Sequence, residues 1–106
     1  MNILFDQGTP APLKDILANH HVRTVFEMGW SAMENGALLA IAEDSFSLFI
    51  TTDQQLRYQQ NLAGRKLAIL VLGTTSWPRI RKQLSKVTEA VEAMTAGAYC
   101  EVSFDR

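Results

Sequence analysis

Six consecutive apolar residues stand just past the middle of the chain, in the order Leu67-Ala68-Ile69-Leu70-Val71-Leu72. A segment that is apolar at every position offers no face to water, which is typical of a strand buried on both faces of a parallel sheet. Gly64 precedes the segment and Gly73 follows it, so it is bounded by residues that end regular structure. We therefore predict a central parallel strand with helices packed on both sides of its sheet.

Strand-like and helix-like patterns alternate along the rest of the chain. Short apolar or β-branched segments predict further strands, and apolar residues at helical spacing predict helices between them. Parallel pairing then requires crossover connections, which we expect to be right-handed. The sequence predicts an α/β fold, a three-layer α/β/α sandwich with about five mostly parallel strands in the order 2-1-3-4-5 or a close variant. The predicted strands cover residues 3–5, 22–26, 46–50, 67–72 and 99–104, and the predicted helices cover 10–18, 34–44 and 76–94, with a short helical turn containing Leu56.

Length and composition limit the classes of protein to consider. The 106 residues, 47% hydrophobic and 20% charged, suit one globular domain over residues 1–106. The formal net charge of −1 provides no long-range attraction to nucleic acid or acidic lipid. Cys100 is the one cysteine and cannot form an internal disulfide, which favours a reducing, cytoplasmic location. No apolar segment approaches the length needed to cross a bilayer, so we expect no membrane partner.

Two acidic residues follow predicted strands directly. Asp6 comes after the first strand and Asp53 comes after the third, and these strands are neighbours in the predicted order. Both carboxylates would then project at the carboxyl edge of the sheet, where ligands bind in such folds. Two nearby carboxylates repel each other, and a hard cation such as Mg²⁺ relieves the repulsion. The alternative is that Asp53 only caps a helix and Asp6 is only a loop acid.

Basic and aromatic residues form two candidate nucleic-acid surfaces. Arg79, Lys82 and Lys86 have the spacing of one face of the last predicted helix. Arg57 and Tyr58 follow Asp53 in a polar segment, where they could contact phosphates or stack on bases. The alternatives are an ordinary solvated helix face for the first group and loop surface for the second.

Three motifs together carry a resemblance to a known family. Asp6-Gln7-Gly8-Thr9-Pro10 follows the first strand, Asn19-His20 precedes Val22, and Phe49-Ile50-Thr51-Thr52-Asp53 ends the third strand. In this the chain resembles the small bacterial PIN-like proteins, relatives of the PIN-domain nucleases. The resemblance implies RNA cleavage with Mg²⁺ or Mn²⁺ held by several acids, and a role as the toxin partner of an antitoxin. Asp6 and Asp53 match the family's acidic positions.

The segment Glu34-Asn35-Gly36-Ala37-Leu38 departs from the family pattern. Relatives often carry acids where this chain has Asn35 and Ala37. The resemblance therefore implies Asp6 and Asp53 as catalytic metal ligands, with Glu34 as a third ligand or base. It also implies a nuclease that is weakened or lost, in which case the fold serves as a non-catalytic protein-interaction module. The protein partners expected are an antitoxin, another protein or a second copy of the chain.

A phosphoacceptor receiver domain has the same predicted strand order and an Asp after its third strand. Such a domain also needs an acidic pair after the first strand and a Lys after the last strand. Here Asp6 is followed by Gln7, and no lysine lies beyond Lys86. The sequence therefore fits a receiver less well than a PIN-like protein.

Overall fold

A computed structural model describes residues 1–104 of the protein. Over this range no helix combines the length and the apolar composition needed to cross a bilayer. The elements are β1 (Asn2–Phe5), α1 (Leu13–Ile16), β2 (His21–Thr24), α2 (Asn35–Ala42), β3 (Leu48–Thr51), α3 (Leu56–Gln59), β4 (Ala68–Leu72), α4 (Trp77–Arg81), α5 (Leu84–Glu92) and β5 (Tyr99–Val102).

All the strand pairs are parallel, and the sheet has the order β2-β1-β3-β4-β5. Phe5 of β1 lies opposite Ile50 of β3, and Ile50 lies opposite Leu70 of β4. Every residue of β3 and β4 is buried, and for β4 this is what the uninterrupted apolar segment predicts. The predicted fold class and strand order are confirmed.

The helices form two layers because successive strand residues point to opposite faces of the sheet. Leu48 and Ile50 pack on one face with residues of α1, α4 and α5, which we call face A. Phe49 and Ile69 pack on the other face with residues of α2 and α3, which we call face B. Burial on both faces holds the sheet between the helices, and this gives the three layers of the sandwich.

The last crossover differs in hand from the others. The connection from β1 to β2 passes over face A, whereas those from β2 to β3 and from β3 to β4 pass over face B in the opposite direction along the sheet. These three connections share one hand. The connection from β4 to β5 runs along the sheet in the same direction as those from β2 to β3 and from β3 to β4. It passes over face A instead of face B, so its hand is the reverse of theirs. The expectation that all crossovers have the same hand is therefore wrong for this fold.

Two predicted helices have different bounds in the structure. The sequence predicts the first helix over residues 10–18, but α1 begins only at Leu13. Residues 10–12 form turns instead of helix, in which the N–H groups of Leu13 and Lys14 donate to the carbonyls three residues back, while the buried Thr9 hydroxyl donates to the carbonyl of Ile50 (2.9 Å). The last predicted helix is two helices, since Gln83, with φ −135° and ψ 41°, has left the helical region.

Two glycines with positive φ allow a test of the turn that leads into β5. Gly64 and Gly97 have φ of +77° and +74°, but a Cβ on Gly97 would lie 2.6 Å from the carbonyl oxygen of Arg65, whereas a Cβ on Gly64 would meet nothing within 4 Å. We expect Gly64→Ala to lower the free energy of unfolding by about 1–2 kcal/mol from backbone strain alone. Gly97→Ala should cost a further ~1–3 kcal/mol from the overlap. Urea unfolding of both variants checks this, and equal losses would contradict it.

Candidate functional site

Asp6 and Asp53 are positioned by two adjacent strands. Asp6 directly follows β1, and its N–H donates to the carbonyl of Ile50 (2.9 Å), so the pairing of β1 with β3 extends to the acid itself. Asp53 lies two residues beyond the end of β3, and both acids are half-buried. The structure therefore brings both residues to the carboxyl edge of the sheet, where the sequence places them.

The hydroxyl of Thr51 connects the two acidic residues. It donates to Oδ2 of Asp6 (2.7 Å) and accepts from the backbone N–H of Asp53 (3.0 Å). Thr51 is 0% exposed, so its hydroxyl has these partners in place of water. The sequence motif contains Thr51 but does not by itself predict this role. The signal that identifies it is a polar side chain at the end of an otherwise apolar buried strand, between positions that carry acids.

Each carboxylate has one oxygen in a local turn and the other turned toward another element. Oδ1 of Asp6 accepts from the N–H of Gln7 (2.9 Å), and Oδ1 of Asp53 accepts from the N–H of Gln55 (2.9 Å). Asp53 is not the cap residue of α3, because that position belongs to Gln55. A local turn therefore accounts for Oδ1 of Asp53, and its Oδ2 needs a separate explanation.

That second oxygen faces the start of α2. The side-chain amide of Asn35 donates to Oδ2 of Asp53 over 3.4 Å. Glu34 precedes it as an exposed residue, and its side chain makes no capping hydrogen bond. Within residues 1–104, no three His, Cys, Asp or Glu side chains are grouped so that they could hold a metal. The structure thus brings an amide, and not the carboxylate of Glu34, to Asp53.

The loops around the acids are packed directly against one another. A Cβ on Gly8 would lie 2.5 Å from the hydroxyl oxygen of Thr52, so a side chain at residue 8 would have to displace this hydroxyl. The side-chain amide of Gln7 donates to the carbonyl of Ser31 (3.1 Å) and ties the loop after β1 to the segment before α2. These contacts fix the backbone on which both acids stand.

The predicted RNA-contacting pair on α3 is part of a polar cluster with β5. The guanidinium of Arg57 lies 4.7 Å from the ring centre of Tyr58 and 5.9 Å from that of Tyr99. Its Nε lies 3.7 Å from Oε2 of Glu101, which also accepts from the Tyr99 hydroxyl (2.8 Å). Burial and this hydrogen bond raise the pKa of Tyr99 to about 12. The charge of Arg57 is therefore balanced locally by Glu101.

The other predicted cations do not share one helix. Arg79 lies on α4, Lys82 is the residue that ends it, and Lys86 lies on α5 beyond the break. The Lys86 amine donates to the carbonyl of Ser103 (2.9 Å), whereas Arg79 and Lys82 are exposed. These helices cover face A and α3 covers face B, so the predicted nucleic-acid residues are divided between the two sides of the sheet. RNA contact by any of them stays a prediction.

Two open grooves lie along β2, away from the acids. One of about 620 Å³ is lined by residues that include Asn2, His21 and Phe46, and one of about 410 Å³ by residues that include Lys14 and His20. Most of these residues belong to the amino edge of the sheet. Asp6 and Asp53 stand at the opposite edge, so neither groove contains them.

Replacing Thr51 tests the connection between the acids. Thr51→Val keeps the shape of the side chain but leaves Oδ2 of Asp6 without a donor and the N–H of Asp53 without an acceptor. We expect the free energy of unfolding to fall by about 1–3 kcal/mol, as for other unsatisfied buried groups. Thr52→Val is the matched control, because the Thr52 hydroxyl makes no hydrogen bond to residues 1–104 and should cost less than about 0.5 kcal/mol. Equal losses in urea unfolding would show that the Thr51 hydroxyl stabilises nothing.

Neither a protein-family model, nor a curated protein, nor a solved structure matches this chain.

Proposed function

We propose that this protein is a metal-dependent ribonuclease of the PIN-like type, acting in the cytoplasm with Mg²⁺ or Mn²⁺. One observation carries the proposal. The half-buried carboxylates of Asp6 and Asp53 stand at the carboxyl ends of adjacent parallel strands, and the buried hydroxyl of Thr51 bonds to both residues. This edge is where parallel α/β sheets place their ligands.

The residues present fit a hard divalent cation. Mg²⁺ takes oxygen ligands and usually binds through one or two carboxylates while it keeps several waters. Asp6 and Asp53 supply that number of carboxylates. The amide of Asn35 touches Oδ2 of Asp53, and a half-turn of that amide would present its oxygen in place of its nitrogen. The donor set is therefore composed of oxygens, without the sulfur and imidazole groups that favour zinc.

The roles of the chain's own residues follow from these contacts. Asp6 and Asp53 would hold the cation, and Thr51 fixes the rotamer of Asp6 through its hydrogen bond. When bound, the cation supplies Lewis acidity for phosphodiester hydrolysis and lowers the pKa of a bound water. Glu34, at the start of α2, is the acid proposed as base or further ligand. Arg57, Tyr58, Arg79, Lys82 and Lys86 are the residues proposed to contact RNA.

A non-catalytic interaction module is the second candidate function, and a specific observation favours it. Asp53 has the amide of Asn35 beside it where a nuclease with three or four acids would have a carboxylate. A site with fewer charges holds a cation less tightly, and the fold could then serve binding to an antitoxin or another protein. Asp6→Asn separates the two functions, because an interaction module would keep its affinity for the partner.

Metal-dependent stabilisation tests the proposal directly. For wild-type protein at a hundredfold excess of Mn²⁺ over Kd, we expect a gain of about 2.7 kcal/mol, which is roughly 10 °C in Tm for a domain of this size. Asp6→Asn should lose most of this shift, since it removes one of the two carboxylates. Cleavage of a single-stranded RNA should fall by about a hundredfold or more in the same variant.

Asp44→Asn is the matched control, because Asp44 is an exposed acid near the amino edge of the sheet and its loss leaves the pair intact. Its Mn²⁺ shift and RNA cleavage should equal those of the wild type. A wild-type protein whose Tm does not respond to Mn²⁺, or an Asp6→Asn variant with an unchanged shift, would overturn the proposal.

Adding a third carboxylate should strengthen metal binding. Asn35→Asp places a second negative charge beside Oδ2 of Asp53, which we expect to cost about 1 kcal/mol of stability without metal. Mn²⁺ should then stabilise the variant more than it stabilises the wild type. Asn61→Asp makes the same change in an exposed loop and should alter neither quantity. A smaller Mn²⁺ shift in Asn35→Asp than in wild type would contradict a cation bound beside Asp53.

A further inference from the structure

The two edges of the sheet differ in how their backbone groups are used. At the β2 edge, the N–H of Thr24 donates to Oε1 of Glu27 (3.0 Å), and its carbonyl accepts from Met28 (3.1 Å). Lys14 also donates to Glu27 (2.9 Å). The hydrogen bond from Lys14 and, to a smaller extent, that from Thr24 lower the pKa of the Glu27 carboxyl. A charged side chain therefore covers the carboxyl half of this edge, as in proteins that prevent edge pairing.

At the β5 edge, no charged side chain bonds to the backbone groups of Tyr99 and Glu101 within residues 1–104. The carbonyl of Ala98 accepts from Ile69 of β4 and that of Val102 from Gly73 just after β4, at 2.8 Å each, so the even-numbered residues direct their backbone groups toward β4. Because this direction alternates along a strand, Tyr99 and Glu101 direct theirs away from the sheet. Their N–H groups donate to no residue in the part of the chain that the structure describes, and the Glu101 carbonyl meets only the thiol of Cys100 at 3.9 Å.

We propose that the β5 edge binds the β5 edge of a second copy of this chain, in antiparallel register centred on Cys100. Two copies would then share one continuous sheet. In this register Tyr99 of each copy lies opposite Glu101 of the other copy. The outward N–H and carbonyl of each residue then bond to the carbonyl and N–H of the residue opposite.

The charges on the edge favour this register over its neighbour. Centring on Glu101 would place that carboxylate directly opposite its own symmetry mate, and like charges facing each other destabilise a pair of strands. It would also pair Ser103, whose carbonyl already accepts from Lys86. Centring on Cys100 places each Glu101 opposite Tyr99 of the other copy. Tyr99 is a suitable neighbour for a carboxylate, because its hydroxyl donates to Glu101 within its own chain.

The edge suits a copy of the same chain better than a strongly charged partner. Each copy contributes the cation Arg57 and the anion Glu101, which lie 3.7 Å apart, so the rim is close to neutral. A two-fold axis lets each such pair face an identical pair, as closed homodimers require. Tyr58, 68% exposed, adds aromatic area beside the edge. The site at Asp6 lies on β1, separated from β5 by β3 and β4, and remains open in the dimer.

Glu101→Pro and Glu101→Ala test the inference as a matched pair. Both remove the carboxylate, but only proline also removes the outward N–H, and it leaves the hydrogen bonds to β4 intact because they do not use that group. We expect the wild type and Glu101→Ala to sediment as dimers. Glu101→Pro should dimerise at least about tenfold more weakly, since two N–H donors are lost per dimer. Unchanged thermal unfolding at low concentration would confirm that the proline variant folds.

Cross-linking of the wild type gives a second measurement that needs no variant to fold. In the proposed register the two Cys100 residues form a non-hydrogen-bonded pair with Cα atoms about 4.5 Å apart, within the range that a disulfide spans. Diamide should accept two electrons and two protons from the two thiols as one S–S bond forms, and give a dithiothreitol-reversible dimer. Cys100→Ser should give none. A wild type that sediments as a monomer at its highest soluble concentration, or a dimer that neither forms the cross-link nor weakens in Glu101→Pro, would overturn the inference.

Discussion

The parallel pairing of β1 with β3 is the constraint on which the candidate site depends. These strands are distant in sequence, and their register places Phe5 opposite Ile50, so the residues that follow them meet at one edge. The N–H of Asp6 then extends the ladder to the carbonyl of Ile50, which leaves the carboxylate beside Thr51. Burial of β3 on both faces supplies the energy for this arrangement, because every residue of the strand is removed from water.

The sequence predicts those features that follow from local patterns or from the ends of strands. The uninterrupted apolar segment identifies β4, and the positions of Asp6 and Asp53 after two apolar strands predict their shared edge. It could not predict that Asn35 would meet Asp53, because that contact depends on how two loops fold over the sheet. The hydrogen bond from Thr9 to the carbonyl of Ile50 escaped prediction for the same reason, since it joins the loop before α1 to a distant strand.

The reversed hand of the last crossover explains why Tyr99 and Glu101 of β5 are partly exposed to water. With a uniform hand, α4 and α5 would cover face B, where they would shield the outer strand. They cover face A instead, so the face B side of β5 is met by the short helix α3 through Arg57. Tyr99 and Glu101 consequently remain partly in water. The same reversal separates this fold from a receiver domain, in which a uniform hand is the expectation for a doubly wound sheet.

The hydrogen bonds around the acids explain how two carboxylates coexist at this edge. Asp6 accepts from the backbone of Gln7 and from Thr51, and Asp53 accepts from the backbone of Gln55 and from the amide of Asn35. Each carboxylate oxygen thus has a donor that offsets part of the mutual repulsion, and the fold does not need a cation to keep the acids together. A cation at Oδ2 of Asp53 would compete with the amide of Asn35 for the same oxygen. In the proposed function, the hydrogen bond from Asn35 would therefore have to give way before Oδ2 of Asp53 could bind a cation.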